Sequence, residues 1–464
     1  MSRSEPLSLV AATQQLASRA TQALSKPAEK GHPQLSRVEI PIVAGDPLEW
    51  LGAQSGSTRY YWSARDEMQE MAGVGEADVF APPGPEDIHS LFRKMRSRIP
   101  VASRALRYYG GIRFHPGPVK GARWRAFGDY RFVVPRFEVT RQANGCSFAC
   151  NMKRGSKEEN AATLEKVLAA LAQLNLGAET QTHPRPIVTA RTDLPDREQW
   201  RTEVEYALKA IEARKLSKVV LARETLFTTE QTLDAVALLS QLLGHTMHAY
   251  AFCFHPARDR AFIGASPERL FKRTNCYLES EALAGTRPRG KTDEVDRALG
   301  QDLLKSDKDR REHQFVVEAL RAHFDSFCRT VDVEPAPHLL RLMNCQHLHT
   351  RFQGVLHEVR DDLDADLIAA LHPTPAVGGL PRDAALRWIT EREPFDRGIY
   401  AAPVGWVGLD GAEFCVALRS GLVRGNELAL YNGAGIVRGS DPDEEWQEIE
   451  TKMQNFLSVL DYAY

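Results

Sequence analysis

Lys218 opens the run Lys218-Val219-Val220-Leu221-Ala222-Arg223, and strand alternation puts its side chain on the same face as Val220 and Ala222, an apolar face. Desolvation on such a face disfavours the ammonium, which is how a lysine becomes a general base near neutral pH. The plainer reading is a strand-edge lysine that reaches solvent. Glu268 follows Ser266-Pro267, where the run Phe262-Ile263-Gly264-Ala265 ends in a turn, so its carboxyl could project into a cleft. Capping of backbone donors, or pairing with Arg269, is the ordinary alternative.

Asp309 and Glu312 lie three residues apart, and at about 100 degrees per residue both fall on the helix side that carries Val316, Ala319 and Leu320. Unpaired buried carboxylates cost several kcal/mol each, so acids on an apolar stripe require a cation or strong hydrogen bonds. Glu445 and Glu448 repeat the spacing on the last helix, with Lys452 on the same flank and the stripe Trp446, Ile449, Met453, Phe456, Leu460 beside them. Two such helices face to face would make an oxygen-rich magnesium site suited to an anionic substrate. A solvated or salt-bridged helix face explains either pair taken alone.

Three small-residue segments, Leu283-Ala284-Gly285-Thr286, Ala376-Val377-Gly378-Gly379 and Asn432-Gly433-Ala434-Gly435-Ile436, could bring backbone donors close to an anion, or could be ordinary turns. None matches a phosphate loop or a dinucleotide fingerprint. Arg419, in Val416-Ala417-Leu418-Arg419, reads as standing on an apolar strand and could fork onto a carboxylate. His347, in Cys345-Gln346-His347-Leu348, could donate to a substrate oxygen or be a satisfied core histidine.

The elements that must position these residues are strands at Lys218 to Arg223 and Ala261 to Gly264, and helices at Asp307 to Phe324 and Asp443 to Leu460. Earlier in the chain, short β-like runs include Arg59 to Trp62, Tyr109 to Phe114 and Tyr130 to Val134. Helical spacing marks Glu159 to Asn175, with Leu164, Val167, Leu168, Leu171 and Leu174 on one side. A polar, proline-containing segment from His183 to Asp196 reads as a linker or a long loop before a helix carrying Trp200, Val204, Ala207 and Ile211. The N-terminal stretch to Lys26 reads as a helix or frayed end.

The 464 residues can bury a substantial core. Lys plus Arg (59) nearly balance Asp plus Glu (61), so the charge footprint of a general nucleic-acid or membrane binder is missing. Seven scattered cysteines suggest neither a disulfide framework nor a zinc site, and point to a reducing cytosol. No apolar run approaches the roughly 20 residues of a membrane-spanning helix.

Taken in order, these segments resemble the chorismate-utilising enzyme family, to which anthranilate synthase component I belongs, strongly from about Ser217 to Tyr464. The blocks that carry the resemblance are Lys218 to Arg223, Ser266-Pro267-Glu268-Arg269-Leu270, Ala282 to Thr286, Lys308-Asp309-Arg310-Arg311-Glu312-His313, His372-Pro373-Thr374-Pro375-Ala376-Val377-Gly378-Gly379, Pro394 to Gly398, Gly433 to Ile436 and Glu445-Trp446-Gln447-Glu448. The resemblance implies an α+β fold: a single large domain of antiparallel β-sheets ringed by helices. Residues 1–200 would be the variable N-terminal part of that fold and 201–464 the chorismate-binding catalytic region.

By the same resemblance, Lys218 matches the lysine that activates water for attack at ring carbon 2, and Glu268 the acid that protonates the departing hydroxyl at carbon 4. Glu312 and Glu445 match magnesium-binding glutamates, with Asp309 and Glu448 as nearby acids. Arg419, Tyr400, His347, Gly285, Thr286, Gly435, Ala376 and Lys452 match positions that grip carboxylates or line the pocket. Anthranilate synthases lack a lysine at the position of Lys218, and salicylate synthases usually carry threonine at that of Ala376. The resemblance therefore implies the magnesium-dependent branch that stops at isochorismate, a precursor of menaquinone, catechol siderophores and salicylate alike. A salicylate synthase and a noncatalytic chorismate-binding protein are the alternatives. No glutaminase subunit, nucleic acid or membrane partner is expected, and a cytoplasmic monomer is.

Overall fold

In the computed structural model, which describes residues 5–28, 34–56, 58–66, 69–81, 87–115, 122–177, 184–343 and 345–462, alternate residues along the strands feed two separate cores. Tyr60, Trp62, Phe252, Phe254, Phe262, Leu422, Ala429 and Tyr431 enter one; their neighbours Tyr61, Ala251, Cys253, Ile263, Val423, Leu428 and Leu430 enter the other. This period of two leaves both faces of the strands apolar, so each face must be covered.

The described residues form twenty strands and eleven helices. From the long strand Tyr130–Gln142 one run of antiparallel pairs passes through Gln69–Phe80, Arg59–Ser63, Tyr250–Ala257, Arg260–Ser266, Ser420–Arg424 and Glu427–Ile436 to Lys218–Thr229. The second run leaves its other edge through Tyr108–Ile112, Pro403–Val407, Gly411–Val416, Arg269–Thr274 and Tyr277–Pro288 to Cys345–Leu356. The first core takes side chains from both runs, including Phe271, Phe352, Val404 and Phe414 of the second. Helices cover the other core: Leu9–Leu24 buries Ala12, Leu16 and Ala20 there, and Pro442–Leu457 adds Met453 and Phe456. The fold is thus α+β, with strands from both halves of the chain interleaved in one sheet system. No helix among the described residues is long and apolar enough to cross a membrane.

Three local expectations need correction. Within the polar segment His183 to Asp196, whose first residue lies outside the described residues, Val188–Leu194 is a strand pairing with the far half of Lys218–Thr229. It is neither linker nor loop; its edge position leaves one face wet, which hid the strand signal. The helix expected to reach Asn175 is Lys157–Leu171, and Leu168 on its supposed inner side is 39% exposed. Of the three small-residue segments, two lie within the strands Tyr277–Pro288 and Glu427–Ile436, and in the first the pairing register shifts between Ala284 and Thr286, where Gly285 has φ +72°. A bulge there re-aims the backbone where a ligand could approach.

Candidate active site

Two runs of strands and two helices converge on a cavity whose empty space, open solvent at its mouth included, is about 670 Å³. Glu268, Gly285, Thr286, Glu312, His347, Ala376, Tyr400, Arg419, Gly435, Glu448 and Lys452 line it, so eleven of the residues picked out in the sequence meet in one place. Lys218, Asp309 and Glu445 stand directly behind this lining, each within hydrogen-bonding reach of a neighbouring charge.

Lys218 starts its strand with Val220, two residues on, in the cavity wall. Its side chain is fully buried and its Nζ lies 2.8 Å from Glu312 Oε1. Gly435, across the strand pair from Val220, leaves the room for this contact: a Cβ there would sit 2.5 Å from Glu312 Oε1 and 3.0 Å from Lys218 Cε. The buried position that alternation suggested holds, and Glu312 adds an ionic partner that alternation could not show.

Glu268 occupies the corner between the strands Arg260–Ser266 and Arg269–Thr274 and is 4% exposed. Burial pushes its carboxyl up to about 8, the charge of Glu281 adds to this, and Lys218, Lys452 and Arg419 offset part of it. Arg269 does not pair with Glu268; it reaches Glu279 at 2.9 Å and the Tyr250 hydroxyl at 2.7 Å. Glu281 supplies a steady negative charge. Against its burial, a contact with His349 at 3.1 Å and the fork of Arg65 at 2.6 and 2.7 Å hold its carboxyl well below the usual range.

The acids sit where two helices begin. Asp309 lies in the first turn of Asp307–Phe327, capped by Ser306, and Glu445 in the first turn of Pro442–Leu457, capped by Asp441. Lys308 joins the helices by donating to Glu445 Oε1 at 2.7 Å. Each of the four acids has its own cation: Glu312 has Lys218, Asp309 has Arg287 at 2.9 Å, Glu445 has Lys308, and Glu448 has Lys452 at 2.7 Å. Even so, burial and the neighbouring Glu448 raise the Glu445 carboxyl, while Lys452 draws Glu448 down against its own burial. Burial also raises Asp309. This set offers carboxylate oxygens only, the ligand type that a hard divalent cation such as magnesium takes, and its lysines and arginine offset the repulsion between the acids.

Arg419 is not on a strand. It lies in the short link between Gly411–Val416 and Ser420–Arg424, with φ +48°, a left-handed conformation that costs a non-glycine residue about 1–3 kcal/mol. Its Nη2 lies 3.0 Å from His347 Nε2 and 3.4 Å from Cys345 Sγ, and His347 Nδ1 lies 2.9 Å from the Gly285 carbonyl. Tyr400 stacks on Tyr431 with ring centroids 5.5 Å apart, and Lys452 Nζ donates to the Gly433 carbonyl at 2.8 Å.

Sequence reasoning missed three contributors. Cys345 is two residues from His347 and so shares its strand face; against burial, Arg419 and His347 draw its thiol down to about 6. Glu281 is two residues before Leu283, in an alternating strand that gave no sign of an ion pair. Arg397 donates to the carbonyls of Val220 and Val377, both at 2.9 Å, and so ties two cavity walls together; its block was quoted only for the resemblance.

The comparisons with known proteins follow the same lines. The chain resembles the chloroplastic isochorismate synthase of Catharanthus roseus, 36% identical over 404 residues that cover 84% of this chain and 68% of the relative. It is 33% identical to isochorismate synthase MenF of Bacillus subtilis, covering 94% of this chain and 96% of the relative. The solved structure of MenF, the menaquinone-specific isochorismate synthase of Escherichia coli, superposes with a TM-score of 0.84 at 31% identity, covering 97% of this chain and 100% of that one. With the family model described as "Chorismate binding enzyme" matching residues 19–461, the chain belongs to the chorismate-binding enzyme family.

Proposed function

We propose that this protein is an isochorismate synthase that converts chorismate to isochorismate, with magnesium as cofactor. The observation that carries the reading is geometric: a buried acid in the cavity lining, Glu268, and a fully buried lysine just behind that lining, Lys218, held against Glu312 of the carboxylate set. Relatives named isochorismate synthase along nearly the whole chain support the same reaction.

Glu312, Glu445 and Glu448 would hold the magnesium ion, with Asp309 behind them, and the bound ion would supply positive charge for a substrate carboxylate. Arg419, positioned by His347 and Cys345, binds and orients the other carboxylate, and Tyr400, Ala376 and Thr286 shape the pocket around the ring. Lys218 takes a proton from the water that forms the new bond to carbon 2. The ring double bonds shift as the bond between carbon 4 and its oxygen breaks, and Glu268 delivers its proton to that oxygen, which leaves as water. The two groups end in exchanged protonation states and are reset through solvent. Incubation with chorismate and magnesium, with a chelator control and chromatographic resolution of products, tests the assignment. Isochorismate without pyruvate is expected; salicylate with pyruvate, or unchanged chorismate, contradicts it.

A further inference from the structure

Outside the cavity lining, Glu334, His338 and His349 bring one ligand-type atom each to within 4.8 Å of one another. His338 and His349 are direct partners across the antiparallel pair His338–Arg341 and Cys345–Leu356, with ring centroids 4.6 Å apart. Glu334 follows the strand Cys328–Val333, and its backbone N–H donates to the Arg351 carbonyl at 3.1 Å, which docks it on the same sheet. Its Oε2 lies 3.2 Å from His338 Nδ1 and 4.0 Å from His349 Nδ1.

The two ring nitrogens of His349 are in different situations. Nε2 lies 3.1 Å from Glu281 Oε2, a carboxylate also held by Arg65, so Nε2 is the nitrogen engaged as donor and Nδ1 is the one left for a metal. That Nδ1 is buried, in a residue 8% exposed, and has no hydrogen-bond partner among the described residues; it faces Glu334. A metal-binding imidazole whose other nitrogen donates to a carboxylate is the usual arrangement around zinc, because the carboxylate fixes the tautomer and raises ligand basicity.

We propose that Glu334, His338 and His349 form a second cation site, distinct from the carboxylate set at the cavity, that takes a zinc-class divalent transition-metal ion. Two imidazoles and one carboxylate suit such an ion and not magnesium, which prefers oxygen alone. Metal–nitrogen bonds of about 2.0–2.1 Å in a tetrahedron place ligand atoms about 3.3 Å apart, so separations within 4.8 Å close with shifts of about 1.5 Å or less. The side chain of His338 is 52% exposed, so solvent rather than packed side chains surrounds much of it and it can make that shift. The site requires nothing of the chorismate reaction and stands or falls separately from it.

Cobalt(II) is the probe, because its visible absorption reports nitrogen ligation. The full-length chain, free of tag histidines and held in excess magnesium, is titrated with cobalt(II) and then with zinc(II). One saturable equivalent with visible bands, displaced by zinc, is expected. His338→Ala and Glu334→Gln, at exposed or half-buried positions outside the cavity, should each weaken binding at least tenfold without changing the metal-free melting temperature. Absence of a stoichiometric cobalt signal, or binding that is the same in both variants, overturns the site.

Discussion

Lys218 Nζ lies 2.8 Å from Glu312 Oε1, so the residue assigned as base and a residue assigned to the metal share one contact. Replacing Lys218 by alanine removes a positive charge from beside the carboxylates. The expected result is magnesium affinity raised about tenfold, equivalent to about 1.4 kcal/mol, with turnover lowered about a hundred- to ten-thousandfold by loss of the base. Calorimetric titration with magnesium alone, beside steady-state rates, checks both; unchanged affinity would show that the ion does not engage Glu312.

Glu268 gives two pH effects of known sign. As general acid it must be protonated, so the rate should fall as the pH rises through about 8. Glu281→Gln removes a negative charge that raises this value, so the falling limb should move to lower pH, and a limb that stays in place would rule out Glu281 as the cause.

Stability follows from the same group. Between 4.5 and about 8 the folded chain holds a proton that the unfolded chain has released, so stability falls as the pH rises through that window. Glu268→Gln cannot lose such a proton. It should be inactive throughout, yet should melt higher than the parent above pH 8, which thermal denaturation across pH would record.

Gly435 is expected to matter for position rather than for folding. The Cβ of alanine would meet the ends of two side chains, Glu312 Oε1 at 2.5 Å and Lys218 Cε at 3.0 Å, and these can move aside. Gly435→Ala should therefore cost about 1 kcal/mol of stability or less while lowering turnover at least tenfold. Denaturant midpoints measured beside rates separate the two effects.

Cys345 acts through Arg419. Its Sγ lies 3.4 Å from the guanidinium, which the left-handed backbone of Arg419 presents to the cavity. Cys345→Ala should raise KM for chorismate about tenfold, the loss of one charge-assisted hydrogen bond, and change kcat less; the reverse pattern would place Cys345 in the chemistry.

Much of this was legible in the chain because strand and helix periods are local. Alternation from Lys218 and the three-residue spacing of Asp309 with Glu312 and of Glu445 with Glu448 gave the right elements and the right faces. What those periods could not supply is the partner across space: Lys218 beside Glu312, Arg287 beside Asp309 and Lys308 beside Glu445 each come from a different element, whereas Lys452 beside Glu448 lies one helical turn away and was legible. Arg419 was misplaced because the apolar run Val416-Ala417-Leu418 continues strand composition past the last paired residue. Val188–Leu194 escaped because an edge strand with one wet face carries little apolar signal.

The most direct test of the central claim is to run the reaction on chorismate in heavy-oxygen water and analyse the product by mass spectrometry. Attack of water at carbon 2, with Lys218 as base, predicts isochorismate that carries one heavy oxygen in the new hydroxyl group. Isochorismate without the label would contradict the proposed chemistry, and absence of isochorismate would contradict the function itself.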